Sequence, residues 1–291
     1  MIEALPASLQ TWRAAGKLLL ADGVELFFRE QGDGPPLVCF HGFPTSSWDW
    51  HRVLPLLSQS FRVIIFDFPG YGLSAKPPDR DYSVLRQMDA VESLLGQLGV
   101  RRFHLLSHDM GDTVACELIY RMRENLTDLE MDRWIILNGG IYTDLHQPLL
   151  TQRLLRTPIV GEITARLASR RVFDWQFPNV YANPEQFNPE HYDCQWALLQ
   201  HAGGRKVLAK VAVYMRERLK YADRWLDSLH QWQGPVRIIW GRHDPIAVPA
   251  IAERLAPRLS DAKLVVMEDL GHYPQLEGPE DTATKILEFL S

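Results

Sequence analysis

Asp109 is the residue whose type and position say most about the chemistry of this chain. It is the centre of a five-residue frame over 107–111 that reads Ser-His-Asp-Met-Gly, between an apolar run over 103–106 and an amphipathic helical pattern. A strand, a sharp turn and a helix in that order are typical of the element that presents a nucleophile in hydrolases. Centring the frame on Ser107 instead would place Leu105 and Asp109 at its flanks, where their bulk blocks the turn. Asp109 is therefore predicted to be the nucleophile.

A carboxylate in this place predicts attack on carbon by a group that is already charged. An aspartate has a reference pKa of about 3.9, whereas a serine must first lose its proton to a histidine. Asp109 is expected to displace a leaving group from an sp³ carbon and to form an alkyl ester with the protein. Attack on an ordinary carboxylic ester would give a reactive anhydride, so simple esterase activity is disfavoured.

Two further candidate residues follow predicted strands later in the chain. Asp244 lies in the segment Gly-Arg-His-Asp-Pro, and His272 lies in Gly-His-Tyr-Pro. Ligands of open α/β sheets bind beyond the carboxyl ends of the strands, and the order nucleophile, acid, histidine is that of the same hydrolase element. We expect Asp244 to orient His272, and His272 to activate the water that cleaves the ester.

The predicted reaction also needs groups that stabilise negative charge. The backbone N–H groups of Phe43, in the segment His-Gly-Phe-Pro over 41–44, and of Met110 are predicted to hold the oxyanion, each contributing roughly 3 kcal/mol. Simpler interpretations exist for the main residues. Asp109 would also serve as a helix N-cap, Asp244 as a turn residue before a proline, and His272 as a surface histidine.

The elements that must position these residues follow an alternating pattern. Several apolar runs are continuous rather than alternating, as in parallel strands covered on both faces, and helical periodicity lies between them. The alternation predicts a doubly wound, mostly parallel sheet of eight strands, with helices on both faces and an antiparallel hairpin at one edge, turning at 21–23. Strands are predicted at 17–20, 24–29, 37–40, 62–66, 103–106, 134–137, 236–240 and 263–267. Helices are predicted at 84–98, 113–123, 249–259 and 279–290.

The alternation fails in the middle of the chain. Residues 141–229 are helical in composition, rich in arginine and aromatic residues, and broken by prolines. We predict that they form an inserted helical cap, with a first part of the core at 1–140 and a second part at 230–291.

Composition sets limits on the function. The chain has 291 residues, of which 46% are hydrophobic, and a net charge of −5 without long runs, which favours neither nucleic-acid nor membrane binding. Its three cysteines, Cys39, Cys116 and Cys194, lack metal spacing and indicate core positions in a reducing compartment. Neither a signal peptide nor a membrane-spanning run is visible, so a cytoplasmic protein is expected. The sequence has no cluster of metal ligands and no glycine-rich phosphate loop, so neither a metal nor an organic cofactor is expected. The oligomeric state is not predicted.

Four motifs carry a family resemblance: His-Gly-Phe-Pro over 41–44, Asp-Phe-Pro-Gly-Tyr-Gly-Leu-Ser over 67–74, the frame over 107–111, and Gly-His over 271–272. They resemble the α/β-hydrolase superfamily in its epoxide hydrolase and haloalkane dehalogenase branch. The resemblance implies the α/β-hydrolase fold, in which the mostly parallel eight-stranded sheet has helices on both faces and an inserted helical cap. Segments over 106–112, 137–141 and 272–277 are more closely similar to the mesoderm-specific transcript proteins. The resemblance runs from about 37 to 290 and is weakest in the cap.

The resemblance implies two candidate leaving groups, of which the first is an epoxide oxygen. In epoxide hydrolases two cap tyrosines donate the proton that the opened oxygen needs. Tyr214 matches one of these positions, although it would also serve as a packing residue of a cap helix. The segment that resembles the other position holds Trp175, so that Tyr181 or Tyr142 would have to substitute.

Halide is the second candidate leaving group. Haloalkane dehalogenases usually have a tryptophan directly after the nucleophile and fluoroacetate-type enzymes an arginine, whereas this chain has Met110. Trp48, Trp175 or Trp196 would have to supply the N–H donor. We therefore rank epoxide hydrolysis to a diol above haloalkane or haloacid dehalogenation. A non-catalytic interaction protein that keeps the fold is the third interpretation.

The cap is expected to cover an apolar pocket for a small hydrophobic molecule. The residues predicted to line that pocket are His41, Trp48, Trp175 and Tyr181.

Overall fold

A computed structural model describes residues 5–291 of the chain. Its strands are β1 Lys17–Ala21, β2 Val24–Gln31, β3 Pro36–Phe40, β4 Arg62–Phe66, β5 Arg102–His108, β6 Glu130–Leu137, β7 Val236–Gly241 and β8 Ala262–Met267. Its helices are α1 Ala7–Ala14, α2 Leu54–Leu57, α3 Val84–Gln97, α4 Met110–Arg123, α5 Leu150–Leu155, α6 Val160–Leu167, α7 Arg170–Gln176, α8 Pro189–Gln200, α9 Gly204–Val211, α10 Tyr214–Lys220, α11 Ala222–His230, α12 Pro249–Leu255, α13 Pro274–Glu277 and α14 Pro279–Leu290.

The eight strands form one sheet in the order β1-β2-β4-β3-β5-β6-β7-β8. The β1–β2 and β2–β4 pairs are antiparallel and the other pairs are parallel. At the tip of the β1–β2 hairpin, Asp22 and Gly23 have φ values of 47° and 73°. Two consecutive positive φ values are typical of the tight turn that matches the twist of paired strands. The predicted fold class and its edge hairpin are confirmed.

Both faces of the central strands are buried, which explains their continuous apolar runs. In β3, Leu37 and Cys39 pack into one hydrophobic cluster while Val38 and Phe40 pack into another on the opposite face. Successive side chains of a strand point to opposite faces, so a strand covered by helices on both sides has no polar positions.

Two predicted boundaries are wrong for physical reasons. Strand β6 begins at Glu130, four residues before the predicted start, because polar and partly exposed side chains at its first positions hide it from a search for apolar runs. Helix α12 ends at Leu255 and continues only as a 3₁₀ turn over Ala256–Arg258. Pro257, inside that turn, cannot continue the hydrogen-bonding of an α-helix.

Helices α5 to α11 lie between β6 and β7, and we call residues 150–230 the helical insert. Its last helix, α11, is fixed to α4 of the core through the buried carboxyl of Glu117. That carboxyl accepts hydrogen bonds from Trp225 Nε1 at 2.9 Å and from Arg224 Nε at 3.0 Å. The division of the chain at residues 141 and 229 into core and cap stays a prediction.

Candidate active site

The turn between β5 and α4 holds Asp109 in an uncommon backbone conformation. Its φ is 47° and its ψ is −107°, a region that residues other than glycine rarely occupy. The turn is tight because Gly111 lies against β3: a Cβ atom on this glycine would come within 2.5 Å of the carbonyl oxygen of Phe40. The turn therefore requires glycine at position 111. This turn places Asp109 at the carboxyl end of the sheet.

Ser107, the alternative centre of the frame, has a structural environment. Its hydroxyl donates to the Asp112 carboxyl and accepts a hydrogen bond from Trp134 Nε1 at 2.7 Å. The side chain is fully buried below the turn. These bonds hold β5 to β6 and to the start of α4.

The two oxygens of the Asp109 carboxyl have different surroundings. Oδ2 accepts a hydrogen bond from the backbone N–H of Phe43 at 2.9 Å. Oδ1 has no hydrogen-bond partner within residues 5–291, although Nη2 of Arg218 lies 3.6 Å away. The same Nη2 donates to the backbone carbonyl of Asp109 at 3.0 Å, so Arg218 supports both the turn and its side chain.

The charge state of Asp109 follows from these neighbours. Burial raises the pKa of its carboxyl, but the cationic Arg218, His272 and the Phe43 N–H together outweigh burial and hold the pKa below its ordinary value. The side chain is only 1% exposed, so this buried carboxylate is ionised at neutral pH with one oxygen free of hydrogen bonds.

His272 is oriented by a carboxylate whose hydrogen-bonding is saturated. Its Nδ1 lies 2.7 Å from Oδ2 of Asp244. The other carboxylate oxygen accepts from the backbone N–H groups of Ile246 and Ala247 at 2.8 and 2.9 Å. Asn138, at the end of β6, donates to Oδ2 from its side-chain amide at 2.7 Å. Asp244 is thereby fixed in position, and so is the imidazole that it pairs with.

The pKa of His272 is raised to about 9. Burial alone would lower it, but the charges of Asp244 and Asp109 and the hydrogen bond to Asp244 outweigh burial. The resting site therefore contains an imidazolium in the field of the Asp109 carboxylate. Any reaction that neutralises Asp109 removes one of the causes of this raised pKa.

The loop around His272 is held by a carboxyl at the end of α13. Glu277 accepts hydrogen bonds from the backbone N–H groups of Gly271 at 2.9 Å and Tyr273 at 3.0 Å. The His272 backbone N–H donates to the carbonyl of Val180 in the helical insert at 2.9 Å. The histidine is thus positioned from both sides, by the core and by the insert.

Tyr214 begins helix α10 and lies beside the predicted nucleophile. Its ring packs against Phe43, with 5.5 Å between ring centroids, and beneath the guanidinium of Arg218. Burial raises the pKa of its hydroxyl well above the ordinary value, and the Asp109 charge adds to this effect. The hydroxyl is buried and has no hydrogen-bond partner in the described part of the chain. It is a protonated donor without an acceptor.

The other two tyrosines considered as donors are engaged elsewhere. The Tyr142 hydroxyl pairs with Nε2 of His230 at 2.8 Å, and the Tyr181 hydroxyl pairs with Nε2 of His191 at the same distance. Neither brings a free hydroxyl to Asp109.

A cavity of about 370 Å³ lies between the carboxyl end of the sheet and helices α5 to α9. Phe43, His272 and Tyr273 contribute to its wall from the core, and Trp175 lines it from α7. Most of its lining is apolar. Asp109 is not a lining residue, but its carboxyl accepts a hydrogen bond from the backbone N–H of Phe43, which is one.

Three of the four residues predicted to line the pocket do not do so. His41 is fully buried below the site, where its Nε2 accepts from the backbone N–H of Phe68 at 3.0 Å. The indole of Trp48 stacks on His51 at 4.1 Å between ring centroids. Tyr181 is turned toward the histidine described above. In each case the residue lies close along the chain to the site, but its side chain points into the packed interior.

Three residues of the site are not among those predicted from the sequence: Asn138, Arg218 and Glu277. Asn138 is the residue directly after β6, and its φ of 43° is one that asparagine tolerates well; its place at a strand end was a usable signal. Arg218 lies one helical turn after Tyr214, which was a weaker signal. Within residues 5–291, no group of three or more His, Cys, Asp or Glu side chains is arranged to hold a metal ion. None of the helices described combines the length and hydropathy needed to cross a membrane.

Comparison with known proteins identifies the family to which this chain belongs. Residues 35–279 match the family model of the alpha/beta hydrolase fold. The mesoderm-specific transcript homolog protein of Bos taurus is 36% identical over 289 residues, which cover 94% of this chain and 85% of that protein. The putative hydrolase LipZ of Mycobacterium tuberculosis is 32% identical over 284 residues, covering 97% and 98% of the two chains. The resemblances predicted from the motifs are confirmed.

Solved structures share the fold at lower identity. Cfl2 from Burkholderia cenocepacia has a TM-score of 0.83 at 24% identity, covering 95% of both chains. A loop variant of the haloalkane dehalogenase DbeA from Bradyrhizobium elkanii has a TM-score of 0.77 at 22% identity, covering 94% of this chain and 95% of that one. The epoxide hydrolase CorEH has a TM-score of 0.77 at 20% identity, covering 94% and 98%. These similarities concern the fold alone.

Proposed function

The chain belongs to the α/β hydrolase fold family and is an enzyme of the hydrolase class, and from this premise we propose that it hydrolyses an apolar epoxide to a diol through an alkyl ester on Asp109. The observation that carries the proposal is the asymmetry of the Asp109 carboxylate. Phe43 N–H holds Oδ2, while Oδ1 has no hydrogen bond in the described residues. A buried, ionised oxygen that accepts no hydrogen bond has a lone pair free for attack on carbon, although the nearby Arg218 cation moderates its basicity.

In the first step, Oδ1 of Asp109 attacks an epoxide carbon and the bond from that carbon to the ring oxygen breaks. The ring oxygen leaves with the electron pair as an alkoxide and takes the proton of the Tyr214 hydroxyl. Burial without a partner keeps this proton on Tyr214 until an acceptor arrives. A positioned general acid typically contributes about 10²–10⁴-fold to the rate.

Esterification neutralises Asp109, which lowers the pKa of His272, and the imidazolium then gives its proton to the Tyr214 phenolate through the new hydroxyl group of the ester. In the second step, the neutral His272 removes a proton from water, and the hydroxide attacks the carbonyl carbon of the ester. The N–H groups of Phe43 and Met110 stabilise the oxyanion. Its collapse breaks the bond from this carbon to Oδ1, the departing alkoxide takes the proton from His272, and the diol leaves. The carboxyl proton left on Asp109 then passes to His272, which restores the resting carboxylate and imidazolium.

The apolar lining of the cavity supports a small hydrophobic substrate, of a size that about 370 Å³ accommodates. Halide departure has less support. The Met110 side chain brings no N–H donor, and its sulfur accepts the Tyr71 hydroxyl at 3.0 Å. Of the three tryptophans considered as donors, Trp48 packs away from the cavity, whereas Trp175 and Trp196 line it.

The decisive experiment traps the ester. The His272→Gln variant is incubated with a panel of aryl and alkyl epoxides and alkyl halides, and intact mass is measured. We expect a stable adduct, mapped to the peptide containing Asp109, with epoxides. The matched control is His243→Gln, which changes an exposed histidine next to Asp244 and should turn over substrate without accumulating adduct.

Each other outcome has a definite meaning. An adduct formed only with alkyl halides, together with halide release by the wild type, would replace epoxide hydrolysis by dehalogenation. No adduct with any compound, in a variant with wild-type thermal stability, would favour a non-catalytic interaction protein.

A further inference from the structure

Exposed apolar side chains are concentrated on one part of the helical insert. Of the twelve large apolar side chains that are exposed in the described residues, eight lie between residues 150 and 175, on α5, α6, α7 and the turns between them. Ile159, Leu167 and Trp175 are 77%, 72% and 67% exposed. We call this surface, residues 150–175, the apolar face. Contiguous exposed apolar surfaces usually mark a binding site for a protein or a membrane.

The apolar face surrounds the opening of the cavity. Leu150, Leu154, Leu167, Val172 and Trp175 are exposed to solvent and also line the cavity. The same side chains therefore form the outer surface and the inner wall. A molecule that covers this face would lie directly over the route into the cavity.

The charge of this segment is opposite to that of the whole chain. Residues 150–176 contain five arginines and two acidic residues, a net charge of +3, whereas the whole chain has −5. Arg153, Arg156, Arg166 and Arg171 are exposed. None of these four has an ion-pair partner among residues 5–291, whereas Arg170 pairs with Asp174 and Asp193. The apolar face is thus surrounded by unneutralised positive charge.

We propose that the apolar face docks on an anionic lipid surface. Apolar side chains with a tryptophan, flanked by arginines, are the combination that inserts into the headgroup region of an anionic bilayer. A second copy of the chain is a poorer occupant, because a two-fold symmetric contact would bring the exposed arginines of the two copies close together, where they repel each other. The net charge of the whole chain does not predict this contact, because positive charge is concentrated on one segment and negative charge lies elsewhere in the chain.

Docking in this position has a consequence for substrate entry, which rests on the proposed function. An apolar epoxide dissolved in the bilayer would reach the cavity without crossing water. The docking itself depends only on the surface, so binding and turnover can be tested separately.

The test is flotation of the full-length protein with two kinds of vesicle, phosphatidylcholine alone and phosphatidylcholine with one third phosphatidylglycerol. We expect the protein to float with the anionic vesicles and to be released by high salt. The double variant Leu167→Ser/Trp175→Ser should lose at least about tenfold in the partition coefficient, because burial of both side chains is lost. The matched control is Leu20→Ser/Leu126→Ser, two exposed leucines elsewhere on the molecule, which should float as the wild type does.

A second pair of variants tests the charge. Arg166→Glu/Arg171→Glu should abolish the preference for anionic vesicles, whereas Arg101→Glu/Arg216→Glu, also exposed but outside the face, should retain it. Circular dichroism and thermal unfolding establish that each variant is folded.

Three results would overturn the docking proposal. The first is no flotation of the wild type with anionic vesicles. The second is equal flotation of the face variants and their controls. The third is a dimer, seen by sedimentation velocity, that Leu167→Ser/Trp175→Ser dissociates, which would assign the face to a second copy. If flotation behaves as expected but no epoxide is turned over, the docking stands and the proposed function fails.

Discussion

At the carboxyl end of the sheet the charged side chains of the site are buried and each is held by at least one hydrogen bond, whereas on helices α5–α7 apolar groups are exposed. Asp244 illustrates the first region, since its carboxylate accepts from a histidine, an amide and two backbone N–H groups. Trp175 illustrates the second, since it is 67% exposed on the cavity rim. Asp109, Asp244 and His272 follow strands of the sheet, so strand pairing and hydrogen bonds fix their positions. The side chains at the rim of the cavity lie on helices α5–α7, where they are exposed and least constrained by packing.

This difference indicates that the core and the helical insert have different roles. In the proposed mechanism the core supplies most of the groups that make and break bonds, while the insert determines which molecules reach them. Tyr214 and Arg218 are the exceptions, because they lie on α10 of the insert and yet are buried beside Asp109. Substitutions in the two regions should therefore affect different kinetic constants, and α10 should behave as part of the core.

The largest effect is expected for Asp244→Asn. An amide in this place would oppose the donor group of Asn138 and could not stabilise an imidazolium at His272, so ester hydrolysis should slow by about 10⁴-fold. Formation of the ester needs no base and should persist, so adduct should accumulate on Asp109. Turnover assays and intact mass check this. Asp269→Asn, on an exposed carboxyl nearby, is the control, and equal losses in both variants would contradict the assignment.

The next effect is expected for Tyr214→Phe. Loss of the proton donor should slow adduct formation from epoxides by about 10²–10⁴-fold, while adduct formation from an alkyl halide should be unchanged. Stability should stay equal or rise, because the hydroxyl removed is buried without a partner. Rapid-quench mass spectrometry in the His272→Gln background and thermal unfolding measure the two quantities. Tyr221→Phe, at the residue directly after the same helix, serves as the control. A uniform loss with both substrate classes would argue for a purely structural Tyr214.

A smaller effect, of roughly 10–10²-fold, is expected for Arg218→Met. This substitution removes a cation that lowers the pKa of Asp109 and a donor that supports the turn. The Asp109 pKa should rise, so the pH below which adduct formation fails should also move upward. The rate of adduct formation is measured against pH, with Arg216→Met as control because that exposed arginine lies on the same helix. A lower rate with an unmoved pH profile would leave Arg218 a structural role only.

The smallest effect is expected for Trp175→Ala in the insert. Because this side chain is mostly exposed, the free energy of unfolding should change by no more than about 0.5 kcal/mol. KM should change severalfold because the cavity loses part of its rim, whereas kcat should stay nearly constant. Steady-state kinetics and denaturant unfolding decide this. A large fall in kcat would contradict the proposal that the rim of the insert affects only substrate binding.

The same contrast explains what the sequence predicts well. Asp109, Asp244 and His272 each follow an apolar strand, and strands of a parallel sheet end at one edge, so their meeting follows from order alone. Asn138 follows a strand as well and was overlooked. Arg218 depends on how α10 packs across α4, which no local pattern contains. His41, Trp48 and Tyr181 have suitable types and neighbours, but periodicity does not tell which way a loop side chain turns.

Because the Phe43 N–H binds only Oδ2, the two carboxylate oxygens of Asp109 should differ in whether they exchange with water during turnover. In the proposed cycle the diol departs with Oδ1, and an oxygen atom from water takes its place in the carboxylate. As long as Phe43 prevents the carboxylate from rotating, Oδ2 is never exchanged. An enzyme that has worked through many cycles in heavy-oxygen water would then carry one isotopic label on this side chain and never two.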